Sequence, residues 1–161
     1  MRETHLAYLN LGSNIQPKTN LPKAVALLSK FGEIKKTSSV WESEAVGADG
    51  PNYLNVCLLY QCEFTLAELK ENVVNPIESA LGRVRSGNKF AARTIDIDIV
   101  VFDGEFVSED NWSLAYIIIP LADIFPRYRN PKTEESIAVI ATRLRKQVWM
   151  EARHGVFTDL R

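Results

Sequence analysis

The sequence contains only two cysteines and two histidines, which limits the kinds of site that it can build. Cys57 and Cys62 lie in one apolar segment, where a strand would direct them to opposite faces, so a disulfide between them is not expected. Neither His5 nor His154 has the spacing of a metal ligand or the partner of an activated nucleophile. Chemistry based on thiols or histidines is therefore not indicated, and a reducing cytoplasm is the expected location.

The sequence also lacks a large excess of charge and any long apolar segment. Its 161 residues carry a net charge of -1, with 46% hydrophobic and 24% charged residues, as is typical of one globular domain. No basic and apolar leader precedes the first predicted strand, and no apolar run approaches the roughly 20 residues that span a bilayer. We therefore expect a single soluble domain, residues 1–161, with no nucleic acid or membrane as partner.

Periodic apolar residues divide the chain into alternating strands and helices. Strands are predicted over 6–11, leading into a turn at 12–14, and over 34–45, 52–62 and 92–103, and helices over 20–31, 65–81, 120–125 and 134–145. Asn20 is a possible N-cap of the first helix, which Gly32 is suited to end. Pro76 predicts a kink in the second helix and Gly82 its end.

The order of the main elements is strand, helix, strand, strand, helix, strand. This order is typical of split βαβ units, and it predicts an α+β, ferredoxin-like fold. In such a fold an antiparallel sheet carries helices packed on one face. The sequence shows no internal repeat and no linker that would divide the chain.

Two aspartates interrupt the most apolar predicted strand. Period two directs Asp96 and Asp98 to one face, away from the side that carries Ile95, Ile97, Ile99 and Val101. Carboxylates at this spacing lie roughly 6.5 to 7 Å apart and repel by about 2 to 3 kcal/mol at an effective dielectric near 20. A solvent-facing strand would also explain them, but aspartate is depleted in strands. The pair favours a divalent cation such as Mg²⁺, which leaves coordination positions to water and phosphate.

Four cations precede the two aspartates within a short stretch: Arg83, Arg85, Lys89 and Arg93. A solvated loop would be the favoured explanation if they stood alone. Beside a pair of aspartates, however, guanidinium groups are suited to bind the oxygens of a polyphosphate. Gly82 and the glycine at 87 would allow this stretch to open and close over a substrate.

Tyr53 and Asn55 share one face of the third predicted strand. An aromatic ring beside an amide can stack on a flat heterocycle and hydrogen-bond it. A core aromatic next to an edge asparagine is the alternative, and it is the interpretation that the sequence alone favours.

Taken together, these motifs resemble the 6-hydroxymethyl-7,8-dihydropterin pyrophosphokinase family of folate biosynthesis. The resemblance extends from about residue 6 to residue 126. It is carried by LGSN at 11–14, PNYLN at 51–55, IESALGRVR at 77–85 and RTIDIDIVVFD at 93–103. It implies a ferredoxin-like enzyme that transfers pyrophosphate from ATP to the hydroxymethyl group of the pterin and releases AMP.

The resemblance also implies roles for individual residues. Asp96 and Asp98 would bind two Mg²⁺ ions, while Arg83 and Arg93 would assist the transfer. ATP contacts are implied for Asn75, Glu78, Arg85, Lys89, Phe90, Arg93 and Ile99. Pterin contacts are implied for Ser43, Val46, Tyr53, Asn55 and Tyr116, with the two tyrosines on either side of the ring.

One segment departs from the family's pattern. The family carries a histidine and then an arginine that contact ATP, whereas 106–116 is several residues shorter, has no histidine and has Leu114 in place of the arginine. This predicts unusually weak binding of ATP. Arg127 and Arg129 are the nearest cations that could compensate, although solvated loop residues are the simpler interpretation.

Two alternatives follow from these features. The shortened segment is compatible with a diverged paralogue that binds a pterin or a nucleotide with weak or altered catalysis. A metal-dependent nucleic-acid enzyme would also use paired aspartates, but it would require a basic groove that the composition does not supply.

Overall fold

The computed structural model describes residues 2–45, 50–82 and 94–157. Its strands are β1 (His5–Ser13), β2 (Glu33–Thr37), β3 (Val40–Ser43), β4 (Tyr53–Cys62), β5 (Asp96–Phe102), β6 (Glu105–Phe106) and β7 (Met150–Arg153). Its helices are α1 (Pro17–Leu28), α2 (Leu66–Glu68), α3 (Asn75–Ala80), α4 (Ala115–Ile124) and α5 (Ile137–Arg145). The seven strands form one antiparallel sheet in the order β6-β5-β1-β4-β3-β7, and β2 pairs with β4.

Two hydrophobic cores lie on opposite faces of the sheet. In the first core, α1 and the segment from α2 to α3 pack over inward-facing residues of β1, β4 and β5. In the second core, α4 and α5 pack over Trp41, Cys57, Val100 and Val101. The antiparallel α+β arrangement confirms the predicted ferredoxin-like fold, in which α1 to α3 cover one face. The helices α4 and α5 form a further layer on the other face of the sheet. Residues 117–121 of α4 are all buried in this layer.

The helix α1 differs from its prediction at both ends. It begins at Pro17, whose missing N–H suits a first helical position, and Asn20 lies inside the helix instead of capping it. The Asn20 side chain donates to the carbonyl of Ile15. The helix ends at Leu28, before Gly32. At Gly32 a Cβ would lie 2.6 Å from the carbonyl oxygen of Gln61, so this glycine permits a close approach of two backbones.

The second predicted helix is divided by a wider turn. A π-helical segment, Leu69–Val74, separates α2 from α3, and Pro76 lies in the first turn of α3. Proline has no N–H to donate to the preceding turn, which is consistent with the wider hydrogen-bonding pattern before it, and the kink at Pro76 stays a prediction. Gly82 follows α3 with φ of 83°, a left-handed conformation that suits glycine, which confirms it as the end of the helix.

Three further boundaries differ from the sequence prediction. The strand predicted over 34–45 is broken between β2 and β3, both of which pair with β4. The helix predicted at 120–125 begins at Ala115, because its apolar run is helical and buried between the sheet and α5. The tail, for which nothing was predicted, supplies β7 beside β3.

A β-bulge in β5 reverses the facing of its second half. Tyr8 is paired with Val101 and Leu9 with Ile99, which leaves Val100 as an extra residue in β5. Ile97 therefore belongs to the first core, whereas Val100 and Val101 belong to the second core. The predicted common side for Ile99 and Val101 is wrong, since strict alternation ends at the bulge.

The cysteines occupy opposite faces, as predicted. Cys57 is in the second core and Cys62 in the first, and both are free and buried. Across the described residues, no helix combines the length and the apolar character that a membrane crossing requires.

Candidate active site

Three strands bring a predicted metal ligand close to a predicted pterin residue. Asp96 of β5 lies opposite Gly12 of β1, and Gly12 lies opposite Asn55 of β4. Directly opposed residues project to the same face of an antiparallel sheet, with Cβ atoms about 4.5 to 5.5 Å apart. Asp96 and Asn55 therefore lie on either side of Gly12. Since Gly12 has no side chain, its backbone forms the floor between them.

Asp96, Gly12 and Asn55 form one row of opposed residues, and a second row lies two residues further along the same three strands. Asp98 is opposite Asn10, and Asn10 is opposite Cys57. Asn10 is 2% exposed, and its Oδ1 has no hydrogen-bond partner within the described part of the chain. Neither Asn10 nor Gly12 is assigned a role from the sequence, which places Gly12 in a turn. That prediction is wrong, since β1 continues through Ser13 and its pairing with β5 sets both residues beside the aspartates. A polar residue inside an apolar central strand was the available signal.

The amide of Asn55 is held in one orientation by its neighbours. Asn55 is 2% exposed, and its Nδ2 donates to Oγ of Ser43 at 2.8 Å and to the carbonyl of Trp41 at 3.3 Å. Ser43 itself pairs with Tyr53 in the sheet. Three predicted pterin contacts, Ser43, Tyr53 and Asn55, therefore lie together, and the amide oxygen of Asn55 remains on the side of Gly12.

Trp41 is opposite Asn55 and connects this end of the sheet to the helices of the second core. Its indole N–H donates to Oδ2 of Asp123 in α4 at 2.9 Å. The guanidinium of Arg145 in α5 lies 5.0 Å from the ring centroid, within the range of a cation–π contact. Trp41 thus links the strand that carries Ser43 to both helices of the second core.

Tyr116 occupies the first turn of α4, on the side of the sheet that carries the two rows. Leu114 immediately precedes α4 and packs against the second core. An apolar core contact therefore occupies the position at which the family resemblance implies an arginine.

The shortened segment is folded against a cluster of aromatic rings. Phe106 and Trp112 stack with their centroids 3.7 Å apart, and Tyr128 lies 5.9 Å from Phe106. Phe125 connects this group to Tyr8, at 4.9 Å from Tyr128 and 4.3 Å from Tyr8. Burial raises the pKa of Tyr8, with a smaller contribution from Cys57. The cluster therefore holds the segment by packing.

The helix α3 closes the outer edge of β5. Glu78 is 2% exposed, and its Oε2 accepts from the backbone N–H of Ile97 at 2.9 Å. Asn75 lies one turn earlier, and its Oδ1 is buried without a hydrogen-bond partner in the described ranges, as is Oγ1 of Thr94. Ile99 packs at the border of the first core. Glu78, a predicted ATP contact, is therefore brought to the strand that carries the aspartates, and Asn75, a second predicted ATP contact, lies in the same helix.

Several predicted site residues lie outside the described residues: Val46, Arg83, Arg85, Lys89, Phe90 and Arg93. Their roles stay predictions. Of the two cations considered as replacements, Arg129 donates from Nη1 to the carbonyl of Glu134 at 2.8 Å, within its own exposed loop. Arg127 is also exposed.

The donor set at the two rows fits a magnesium ion. Asp96 and Asp98 are both half-buried, and each is paired with an uncharged residue of β1. Within 2–45, 50–82 and 94–157, no three acidic, histidine or cysteine side chains form a metal cluster. Mg²⁺ commonly uses one or two carboxylates and completes its octahedron with water and phosphate. Two carboxylates without further acidic ligands are therefore sufficient.

Comparison with known proteins gives a consistent result. The family model described as 7,8-dihydro-6-hydroxymethylpterin-pyrophosphokinase (HPPK) matches residues 8–126. A protein of Synechocystis sp. named 2-amino-4-hydroxy-6-hydroxymethyldihydropteridine pyrophosphokinase is 28% identical over 147 residues, which are 84% of this chain and 74% of the relative. A protein of the same name from Methylorubrum extorquens is 36% identical over 132 residues, covering 74% of this chain and 82% of the relative.

Solved structures agree with this fold. The HPPK-DHPS of Plasmodium falciparum, crystallised with SDX-DHP, superposes with a TM-score of 0.68 at 14% identity. The match covers 91% of this chain and 46% of that chain, so the present chain spans less than half of the larger protein. At this identity the likeness establishes the fold.

Proposed function

Since the chain belongs to the 7,8-dihydro-6-hydroxymethylpterin-pyrophosphokinase family, we propose that it transfers pyrophosphate from ATP to 6-hydroxymethyl-7,8-dihydropterin. AMP is the second product, and the reaction is a step of folate biosynthesis. The observation that carries this proposal is the row in which Asp96, Gly12 and Asn55 lie side by side. A cation site and a site for a flat heterocycle are adjacent there.

The pterin is proposed to bind at the β4 end of this row. Tyr53 offers a ring for stacking, and Tyr116 in the first turn of α4 is proposed to cover the opposite face of the pterin. The orientation of Asn55 supports this site, because Ser43 and the Trp41 carbonyl occupy its amide donors and the acceptor Oδ1 is left toward Gly12. An acceptor at this point suits the N–H groups of a pterin. Val46 is proposed as a further contact.

ATP is proposed to bind at the β5 side, with Mg²⁺ held by Asp96 and Asp98. We propose two such ions, which would offset negative charge on the phosphates and stabilise the charge that develops during transfer. Nucleotide contacts are proposed for Asn75, Glu78, Arg85, Lys89, Phe90, Arg93 and Ile99. Arg83 and Arg93 are proposed to assist the transfer itself.

The chemistry requires no covalent intermediate with the protein. The hydroxymethyl oxygen of the pterin forms a bond to the β-phosphorus of ATP. The bond from that phosphorus to the oxygen shared with the α-phosphate breaks, AMP leaves, and the hydroxyl proton passes to solvent. The contribution of this chain is to hold the two substrates at adjacent positions in the correct orientation.

A diverged paralogue is the second candidate function. It is favoured by Leu114, which packs against the second core where the family pattern has an arginine. Such a protein would bind the pterin, or a nucleotide, with weak or altered catalysis.

We also propose that residues 1–161 form one domain that acts in the cytoplasm. The single sheet supports the first statement, because it combines strands from His5 to Arg153. Two unpaired, buried cysteines are in keeping with the second. ATP and the reduced pterin are the proposed partners.

The experiment that distinguishes these functions is product analysis after incubation with Mg-ATP, with and without the reduced hydroxymethylpterin. AMP that forms only when the pterin is present supports the proposal, whereas ADP, or no nucleotide product, contradicts it. The matched control is Asp98→Asn, which keeps the shape of the side chain and removes one carboxylate charge. We expect turnover to fall by orders of magnitude, while the unfolding free energy is unchanged or slightly higher because a like-charge pair is relieved.

A further inference from the structure

Asn10 is an unusual residue for the middle of a central strand. It is 2% exposed, and its Oδ1 makes no hydrogen bond to any described residue. Burying an amide oxygen without a donor is unfavourable, and most such groups in folded proteins have a partner. An apolar side chain of similar size would avoid this cost. The residue therefore calls for an explanation other than packing.

The sheet places Asn10 directly opposite Asp98. Both side chains project to the face that carries Asp96, because the bulge at Val100 lies beyond this pair. On the other side Asn10 faces Cys57, a free and buried thiol. The unpaired atom of Asn10 is Oδ1, a hydrogen-bond acceptor in the residue opposite Asp98. A donor that reaches this oxygen also lies near the Asp98 carboxylate, so we expect it to be a group that carboxylates attract.

We propose that Oδ1 of Asn10 accepts a hydrogen bond from a water molecule bound to the divalent cation at Asp96 and Asp98. Asn10 is then a positioning residue for the cation, and this role rests on the proposed function. Mg²⁺ usually keeps several waters when it is held by one or two carboxylates. Partners of this kind fix the orientation of the coordination shell, and their loss typically weakens metal binding 10- to 100-fold.

The test is the affinity for Mn²⁺ of the protein alone, measured by titration with electron paramagnetic resonance in the absence of ATP and pterin. Asn10→Leu should weaken Mn²⁺ binding about 10-fold or more, while the melting temperature of the metal-free protein stays the same or rises. Asn10→Asp restores an acceptor and should recover or exceed the affinity of the original protein. The same experiment on Asn10→Ala removes the acceptor without adding bulk, should Asn10→Leu fail to fold.

Cys57→Ala provides the matched control, because it alters the other neighbour of Asn10 and retains the acceptor. It should leave Mn²⁺ affinity unchanged. Equal affinity in the original protein and in Asn10→Ala would overturn the role of Asn10 while leaving the proposed reaction intact. Failure of the original protein to bind Mn²⁺ any better than Asp98→Asn would instead contradict the cation site itself.

Discussion

A Cβ atom on Gly12 would lie 3.1 Å from Oδ1 of Asn55. The same atom would be 3.7 Å from the ring of Tyr53. The amide of Asn55 has little freedom to retreat, because its nitrogen is bonded to Ser43 and to the carbonyl of Trp41. Because residue 12 has no side chain, Asn55 and Tyr53 can both lie close to the backbone of β1, which forms the floor of the proposed pterin site.

Gly12→Ala should reduce pterin affinity without damaging the fold. Alanine loses less backbone entropy than glycine when a strand forms, by roughly 0.5 to 1 kcal/mol. This gain opposes the cost of the close contact with Asn55, so the unfolding free energy should be similar to that of the original protein. The added methyl group should displace Asn55 and occupy the floor of the site. Isothermal titration with the pterin and thermal denaturation measure the two effects. A variant with unchanged pterin affinity would show that the ligand does not lie above Gly12.

Tyr53→Ala should weaken pterin binding and leave Mg-ATP binding nearly unchanged. Loss of the ring removes buried area, with about 0.5 to 1.5 kcal/mol more from the geometry of stacking. Phe31→Ala, in which an exposed ring is removed from another part of the surface, is the control. Equal loss of affinity for both ligands would identify Tyr53 as a core residue instead.

Binding of Mg-ATP should be weak in the absence of the pterin. A hydrogen bond to a charged group contributes about 1.5 to 3 kcal/mol, so the lack of both the histidine and the arginine corresponds to a loss on the order of 100-fold or more. We expect no compensation by Arg127 and Arg129, since Arg129 already donates to the Glu134 carbonyl. Replacing both arginines by alanine should leave the Kd for ATP unchanged.

The control for that double variant is Lys132→Ala, which removes another exposed cation of the same loop. A rise in Kd confined to the double arginine variant would show that compensation does occur. Titration of the original protein that gives a low-micromolar Kd without pterin would contradict the expected weakness.

Stability at acid pH should depend on Asp103. The side-chain bond to His5, at 2.6 Å, and then the backbone N–H of Leu6 lower the pKa of Asp103. A carboxylate with a lowered folded pKa stabilises the fold above its unfolded pKa, about 3.9, and this contribution is lost as the pH falls through the folded pKa. Denaturant unfolding below about pH 4 should therefore show a smaller decrease for Asp103→Asn than for the original protein.

Asparagine is suited to the test because residue 103 has φ of 48°, a conformation that asparagine tolerates. Asp110→Asn, at an exposed position of the 3₁₀ helix Glu109–Ser113, is the comparison variant. An acid dependence of Asp103→Asn identical to that of the original protein would remove the hydrogen bond between Asp103 and His5 from the explanation.

The sequence predicts those parts of the fold that depend on local periodicity. The paired aspartates, β4 and α5 follow from alternation or helical spacing, and the glycine at 82 ends α3 as its type suggests. The bulge at Val100 was not predictable, because it is a property of the pairing between β5 and β1. Most of α4 was not predicted from the sequence. A helical segment that is buried on all sides lacks the amphipathic periodicity by which surface helices are recognised.

In the candidate site, too, some residues are recognisable from one strand and others only from the pairing of several strands. Tyr53 and Asn55 are recognisable from one strand, whereas Asn10 and Gly12 acquire meaning only when three strands are aligned. Pairing of distant strands depends on side-chain packing across the whole sheet, which local sequence does not specify.

The topology also sets the order in which the site can assemble during synthesis. The central strand β1 is made before its partners β4 and β5, and β7, which pairs with the edge of β3, follows them in the chain. Contacts between residues far apart in the sequence slow folding, because long loops must close before they form. Residues as far as Asp98 must therefore leave the ribosome before Asn10 can meet Asp98, and β3, which carries Ser43, gains its outer neighbour β7 later still.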